Sequence, residues 1–460
     1  LKARLFMKNV RIAPPWSEKR LAGTVIIAGI LVRLATLGYI NRFPLASDSL
    51  AYHEMGMNMA RGVPFSPLYP PGISFFLAFA FKVFGSSELV SRLSGLAWYL
   101  VFIVLVFSIA RRSFGRVAAV LAVSVFSFFP AFIWHSTEPL TQLPTATLLL
   151  GIGLALISMR EKHAAWEGSI LGALLGLAIL VRPSNLFLSL VVLVYVLVVR
   201  RRRLSCLVAG VVALSIVSCW LISARNMTGR FVPINEANGM NVFYGNDEFT
   251  PLYKTWWFGS HGRGEPGVPK KFSELLDQIE RMPAGDRSAF YRKAVISHVT
   301  SRFDLFVVRT VNRVCTFLAF DTFTGSALRK LYGVPTSVAL LTIGVDALFY
   351  SLVVLSCLLF VFSSSSTETE RDVGRILLLI AGAYAIPYWL SFSHPTYHVP
   401  VVPLLGVVGS SFVARVVVAP GHELLALRSL SRYRRVGLLC GLGVFVLIQI
   451  EWIVFGLSRI

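Results

Sequence analysis

Apolar runs of about twenty residues recur along this chain, divided by short basic or Gly/Pro-rich stretches, and they limit its fold more than any motif does. A helix rises about 1.5 Å per residue, so such a run crosses the roughly 30 Å hydrocarbon core of a bilayer. Runs lie near 21–40, 88–110, 116–133, 139–158, 167–181, 185–199, 205–223, 335–362, 374–392, 399–418 and 437–457, which predicts about eleven spans. No two-residue alternation recurs, so the pattern points to an all-α polytopic membrane protein and not to a β-barrel. A composition of 55% hydrophobic and 15% charged residues, with mean hydropathy +0.69, excludes an ordinary soluble enzyme. The first run lacks a small-residue cleavage site and reads as a retained helix. The segment 71–84 is apolar but short, so it reads as interfacial or re-entrant.

The net charge of +21 sits mostly at the ends of apolar runs. That placement sets orientation and meets anionic headgroups; it does not suggest nucleic acid. Lys2, Arg4, Lys8, Arg11, Lys19 and Arg20 precede the first span and predict a cytoplasmic N-terminus. Alternation then puts Arg111–Arg116, Arg160 with Lys162, Arg200–Arg203, Arg371 with Arg375, and Arg428–Arg435 on that side. The short loops 134–138 and 393–398 on the other side carry no Lys or Arg. Five cysteines form no disulfide or metal spacing.

Three regions follow from this reading. Residues 1–223 form an N-terminal transmembrane module, whose first extracytoplasmic loop, 41–87, carries interfacial helices. Residues 224–334 form a polar extracytoplasmic lid with a helical stretch over about 286–319, and 335–460 return to the membrane. Leu50 to Gly62 has the mixed helical periodicity of a helix lying on the bilayer.

Chemistry-bearing residues collect on the extracytoplasmic side. Asp48, just past the first span, is placed to be a general base with a raised pKa; the bland alternative is a helix cap. Glu138 opens the fourth span after Trp134-His135-Ser136-Thr137, where a first-turn acid also suits the helix dipole. Arg182 lies in the turn Arg182-Pro183-Ser184-Asn185 and could grip a phosphate or snorkel to headgroups. The turn Ser393–Pro400 holds His394, Tyr397 and His398, which suit hydrogen bonding more than metal binding. Lys82 and Arg92 flank the interfacial segment as anchors. Asp346 and Glu451 lie inside spans, where buried acids pair or mark a transport path.

The order of these features resembles the membrane-embedded GT-C glycosyltransferases. The relevant branch holds protein O-mannosyltransferases, aminoarabinose transferases and rhizobial-type galacturonosyltransferases. Asp48, Tyr52, Ala60 and Gly62 lead to Tyr69-Pro70-Pro71-Gly72. Glu138, Arg182-Pro183, Arg225-Asn226, Phe231–Ile234, Tyr244-Gly245-Asn246 and Tyr397–Pro403 follow in order, although relatives often carry Arg where His398 stands. The resemblance covers roughly residues 20–410. It implies a polyprenyl-phosphate-linked sugar as donor and inversion at the anomeric carbon, with Asp48 as base beside Glu138. Arg182, Lys82, Tyr52, His394, Tyr397 and His398 become donor- or phosphate-binding candidates. No cofactor is required, although Asp48 with Glu138 could hold a divalent cation. The implied acceptor is a glycolipid such as lipid A or its core, an envelope glycan or a protein, at the outer face of a bacterial inner membrane. The rival readings are a transporter or flippase using Asp346 and Glu451, and a non-catalytic assembly subunit. Against transport, no internal repeat appears.

Overall fold

The computed structural model describes residues 15–65, 67–160, 166–235, 237–254 and 268–457; Lys2, Arg4, Lys8, Arg11 and Lys162 lie outside them. Every regular element among the described residues is helical. The N-terminal half runs α1 Pro15–Ile40, α2 Ser47–Arg61, α3 Pro71–Phe84, α4 Glu88–Phe114, α5 Arg116–Phe128, α6 Pro130–His135, α7 Gln142–Ser158, α8 Trp166–Val181, α9 Asn185–Val194 and α10 Arg203–Thr228. The polar segment adds α11 Ala237–Asn246, α12 Lys270–Arg281, α13 Ala284–Ser301, α14 Phe303–Leu318 and α15 Phe323–Tyr332. The chain ends with α16 Thr336–Phe362, α17 Glu368–Leu390, a 3-10 turn Pro395–Val401, α18 Val402–Val418, α19 Pro420–Arg428 and α20 Arg432–Leu457.

Among the described residues seven helices are long and apolar enough to cross a membrane: Lys19–Ile40, Glu88–Phe114, Arg203–Thr228, Thr336–Phe362, Glu368–Leu390, Pro395–Val418 and Arg432–Gly456. The other four expected spans coincide with shorter apolar helices, among them Gln142–Ser158 and Trp166–Val181. The run 116–133 is broken because Pro130 disfavours a helical residue before it, and Phe129 is extended at φ −67°, ψ 119°. The helical stretch expected over 286–319 is likewise two helices, divided at Arg302 with φ −131°, ψ 55°.

A close glycine-lined seam joins α8 to α10. Gly168, Gly172 and Gly176 repeat every four residues on one face of α8, and a Cβ on Gly172 would lie 2.5 Å from the Ala209 carbonyl oxygen. Lipid tails supply no hydrophobic drive between helices, so close backbone packing of small residues does that work. At the Glu167 end of α8 this seam meets a charged cluster. Arg202 pairs with Glu167 at 3.5 Å, and Arg160 and Arg200 each reach Asp372 at 3.0 Å. Arg182 follows the other end of α8, so the basic cluster and the candidate site lie at opposite ends of the bundle.

Candidate active site

Asp48 is held by a short loop tethered to α4. The Leu45 N–H donates to Glu88 Oε2 at 2.9 Å, and Arg92 Nη2 donates to the Phe43 carbonyl at 2.9 Å. One turn further on, His53 Nδ1 and Ser91 Oγ are 2.8 Å apart. Between these tethers Ser47 takes a left-handed conformation, φ +52°. A non-glycine residue there costs roughly 1–2 kcal/mol, which the tethers must offset. The helix-cap alternative for Asp48 is not what forms. Ala46 occupies the N-cap position without a side-chain bond, and Asp48 lies in the first turn of α2. Its Oδ1 instead accepts from the Tyr69 hydroxyl at 3.1 Å. The carboxylate is open to solvent but set in a crowded recess. The protein mass around it raises its pKa above the carboxylate range, opposed by the Tyr69 bond and the Arg182 charge. Tyr69 responds in kind, its phenol pushed up to about 12 by burial and by the Asp48 charge.

Tyr69 and Asp48 lie beside Arg182 because α3 lands on the end of α8. A Cβ on Gly72 would sit 2.7 Å from the Val181 backbone nitrogen, so only glycine allows that approach. Arg182 is 9% exposed. Its Nε donates to Thr141 Oγ1 at 2.9 Å, and Nη1 donates to the Tyr388 and Tyr384 hydroxyls at 3.1 and 3.4 Å. The guanidinium lies 5.4 Å from the Tyr397 ring centroid. No carboxylate pairs with it among the described residues. A buried cation given only neutral hydroxyls has the chemistry to receive an anion. Tyr52, 4% exposed, packs on Tyr69 at 5.3 Å between centroids and is raised by burial and by Asp48.

The remaining candidates divide. Glu138 sits in the 136–141 turn and not at the start of the helix, which begins at Gln142; Ser136 and Thr137 hydroxyls donate backwards to Ile133 and Trp134 carbonyls. Its carboxylate is buried against Arg92 and accepts from the Tyr332 hydroxyl at 2.8 Å. That makes it an anchor for the residue that holds the Phe43 loop. Among the described residues no group of three His, Cys, Asp or Glu has metal-site geometry. Lys82 is exposed near the end of α3 away from Pro71 and does not join the cluster. His394 Nδ1 sits 2.8 Å from Thr396 Oγ1. His398 turns away from Tyr397 into the bundle, stacked 4.5 Å from the Tyr350 ring. Asp346 Oδ1 accepts from the Ala131 N–H at 2.8 Å, and Glu451 pairs with Lys254 at 2.8 Å, so both intramembrane acids have partners.

Residues 69–222 match the family model described as dolichyl-phosphate-mannose-protein mannosyltransferase. The matched stretch is about a third of the chain. It contains Tyr69, Arg92, Glu138, Thr141 and Arg182. No curated protein matches the chain. Among solved structures, ArnT from Cupriavidus metallidurans bound to undecaprenyl phosphate is 16% identical, over 89% of this chain and 80% of that one, with a TM-score of 0.42. The oligosaccharyltransferase AglB from Archaeoglobus fulgidus, with an inhibitory peptide and a dolichol-phosphate, is 15% identical over 94% and 56%, with a TM-score of 0.45. The Archaeoglobus fulgidus oligosaccharyltransferase with Zn and sulfate gives 14% over 93% and 52%, with a TM-score of 0.48.

Three groups around this site escape sequence reading. Tyr384 and Tyr388 lie in an apolar run, where tyrosine reads as a membrane-facing residue, yet both turn inward to Arg182. Arg313, 68 residues from Gly245, donates to its carbonyl at 3.0 Å. Sequence spacing carries no signal for that pairing.

Proposed function

We propose that this multi-span membrane protein is an inverting glycosyltransferase that uses a polyprenyl-phosphate-linked sugar. The observation that carries the reading is the pairing of an accessible, raised carboxylate, Asp48, with a buried guanidinium, Arg182, that has only hydroxyl partners. Asp48 takes the proton of the acceptor hydroxyl while that oxygen attacks the anomeric carbon from the face opposite the phosphate. The bond from the anomeric carbon to the phosphate oxygen breaks, and its electron pair leaves with the polyprenyl phosphate. Arg182, with Tyr388 and Tyr397 beside it, stabilises the charge that develops there. A phosphate leaving group needs no strong acid, which fits a site with one free carboxylate. Next to Tyr69 and Leu180 an apolar cleft of about 270 Å³, lined by Met59, Phe65, Phe75, Trp220 and Met227, suits an isoprenoid chain. The matched family's name couples a dolichyl-phosphate sugar to a protein; the acceptor class here extends to glycolipids and glycans of the cell envelope. The site end is read as extracytoplasmic because the opposite end carries the Arg160–Arg200–Asp372 cluster.

The test is sugar release or transfer from radiolabelled polyprenyl-phosphate sugars by purified protein, Asp48→Asn and Arg182→Ala. Turnover by the parent, none by Asp48→Asn, and weakened donor binding by Arg182→Ala support the reading. Equal turnover by parent and Asp48→Asn sinks the role of Asp48, and failure of the parent to bind any polyprenyl phosphate sinks the donor class.

A further inference from the structure

The lid segment is wired to the Arg182 cradle through one face of α14. Arg313 and Phe317 are four residues apart and so lie one above the other on that helix. Both are buried. Arg313 Nη1 donates to the Leu390 and Trp389 carbonyls at 2.6 and 3.3 Å, at the C-terminal end of α17. Its Nη2 donates to the Gly245 carbonyl at 3.0 Å and to Asn246 Oδ1 at 2.8 Å, at the end of the lid helix α11. Asn246 closes the triangle, its Nδ2 within 3.3 Å of both the Leu390 and Ser391 carbonyls. One turn along, Phe317 stacks on Tyr388 with centroids 6.1 Å apart and planes 26° apart. The Tyr388 hydroxyl in turn accepts from Arg182 at 3.1 Å and lies 2.8 Å from Ser184 Oγ.

A capping arginine at a helix C-terminus is ordinary, since free carbonyls there favour a cation. This one differs because the same guanidinium holds two helix ends, one from the lid and one from the helix that carries Tyr388. A shift of α11 cannot leave both sets of bonds intact. We propose that Arg313 and Asn246 are positioning residues that couple the position of the lid to Arg182's grip on the donor phosphate. Acceptor engagement with the lid then changes donor affinity, and by linkage donor binding changes acceptor affinity by the same factor. This rests on the glycosyltransferase reading above.

The experiment uses the full chain in lipid nanodiscs. Steady-state kcat and donor KM, undecaprenyl phosphate binding and thermal unfolding are compared for parent, Asn246→Leu, Asn246→Asp and Arg313→Lys. Asn246→Asp is nearly isosteric; it keeps an acceptor for Arg313 and gives up the two donated bonds to α17. For Asn246→Leu, donor KM and the undecaprenyl phosphate Kd rise together, by about 5- to 20-fold, while kcat stays within roughly 2-fold. Asn246→Asp falls between parent and Asn246→Leu. Parent-like donor KM in folded Asn246→Leu and Asn246→Asp overturns the proposal, as does a fall in Tm with kcat and KM unmoved. If Arg313→Lys does not fold, the two Asn246 variants decide alone. A parent that binds no polyprenyl phosphate removes the glycosyltransferase reading, whereas an active parent with indifferent variants removes only the coupling.

Discussion

The Tyr69 hydroxyl donates to Asp48 across 3.1 Å, joining the start of the surface helix α2 to the turn that precedes α3. The bond favours the ionised carboxylate and so holds its pKa below what burial alone would set. A base must be ionised to work, so activity is lost as pH falls through the Asp48 pKa, at a point above the usual carboxylate range. Tyr69→Phe removes the opposing bond and moves this acid limb to still higher pH. At a fixed pH on the limb the rate drops by roughly 2- to 10-fold, the worth of one hydrogen bond. A pH–rate profile identical to the parent's would show that Asp48 is not the titrating group.

Glu138→Gln tests whether that carboxylate is an anchor. It leaves the fully buried Arg92 without its counter-charge. Breaking a buried pair from one side costs about 3–5 kcal/mol. Thermal unfolding in detergent should fall accordingly, and part of the stability should return in the double variant Arg92→Met/Glu138→Gln. Loss of activity at unchanged Tm would instead mark Glu138 as part of the chemistry.

Much of this is legible in the sequence. Hydrophobic runs located the membrane helices because lipid exposure demands apolar side chains over a fixed length. Asp48 and Arg182 drew notice because charged groups at the mouths of apolar helices are costly unless used. Pairings between distant positions were not legible. Arg92 with Glu138 is separated by 46 residues, and Arg182 with Tyr388 by 206; each could as well have been a headgroup anchor. Two of the phosphate candidates show the limit from the other side. Lys82 and His398 lie near the right motifs, but helix phase points one to the surface and the other into the bundle.

The α8–α10 seam yields a paired prediction. Gly172→Ala forces a methyl against the Ala209 carbonyl, where only backbone could give way. Overpacking of this kind costs about 1–3 kcal/mol, and because Arg182 directly follows α8, the donor binding proposed above weakens further. Gly210→Ala, on α10 with nothing within 4 Å of its added Cβ, is neutral or mildly stabilising. Equal Tm values for the two variants would disprove the close packing.

Asp247 provides a pH test of the lid segment. Burial raises its carboxyl to about 6, while Oδ1 accepts from the Phe249 N–H at 2.8 Å. Its unfolded value is near 4. Between about 4 and 6 the folded state therefore holds more protons, so its contribution to stability falls as pH rises through that window. Asp247→Asn keeps an acceptor for Phe249 and flattens the slope. Unfolding temperatures across that range check the sign, and a slope retained in the variant would assign it to another group.

The two halves of the site come from opposite ends of the chain. Asp48 is tethered by Glu88 and Arg92, whereas the hydroxyls around Arg182 belong largely to Tyr384 and Tyr388. During synthesis the proposed base can be set in place while most of the protein is still to be made, but the full set of hydroxyls around Arg182 waits for the last third. A half-inserted chain therefore holds Asp48, Thr141 and Arg182 without the Tyr384 and Tyr388 hydroxyls, so on the reading proposed above its grip on a donor phosphate is incomplete until biogenesis is nearly over.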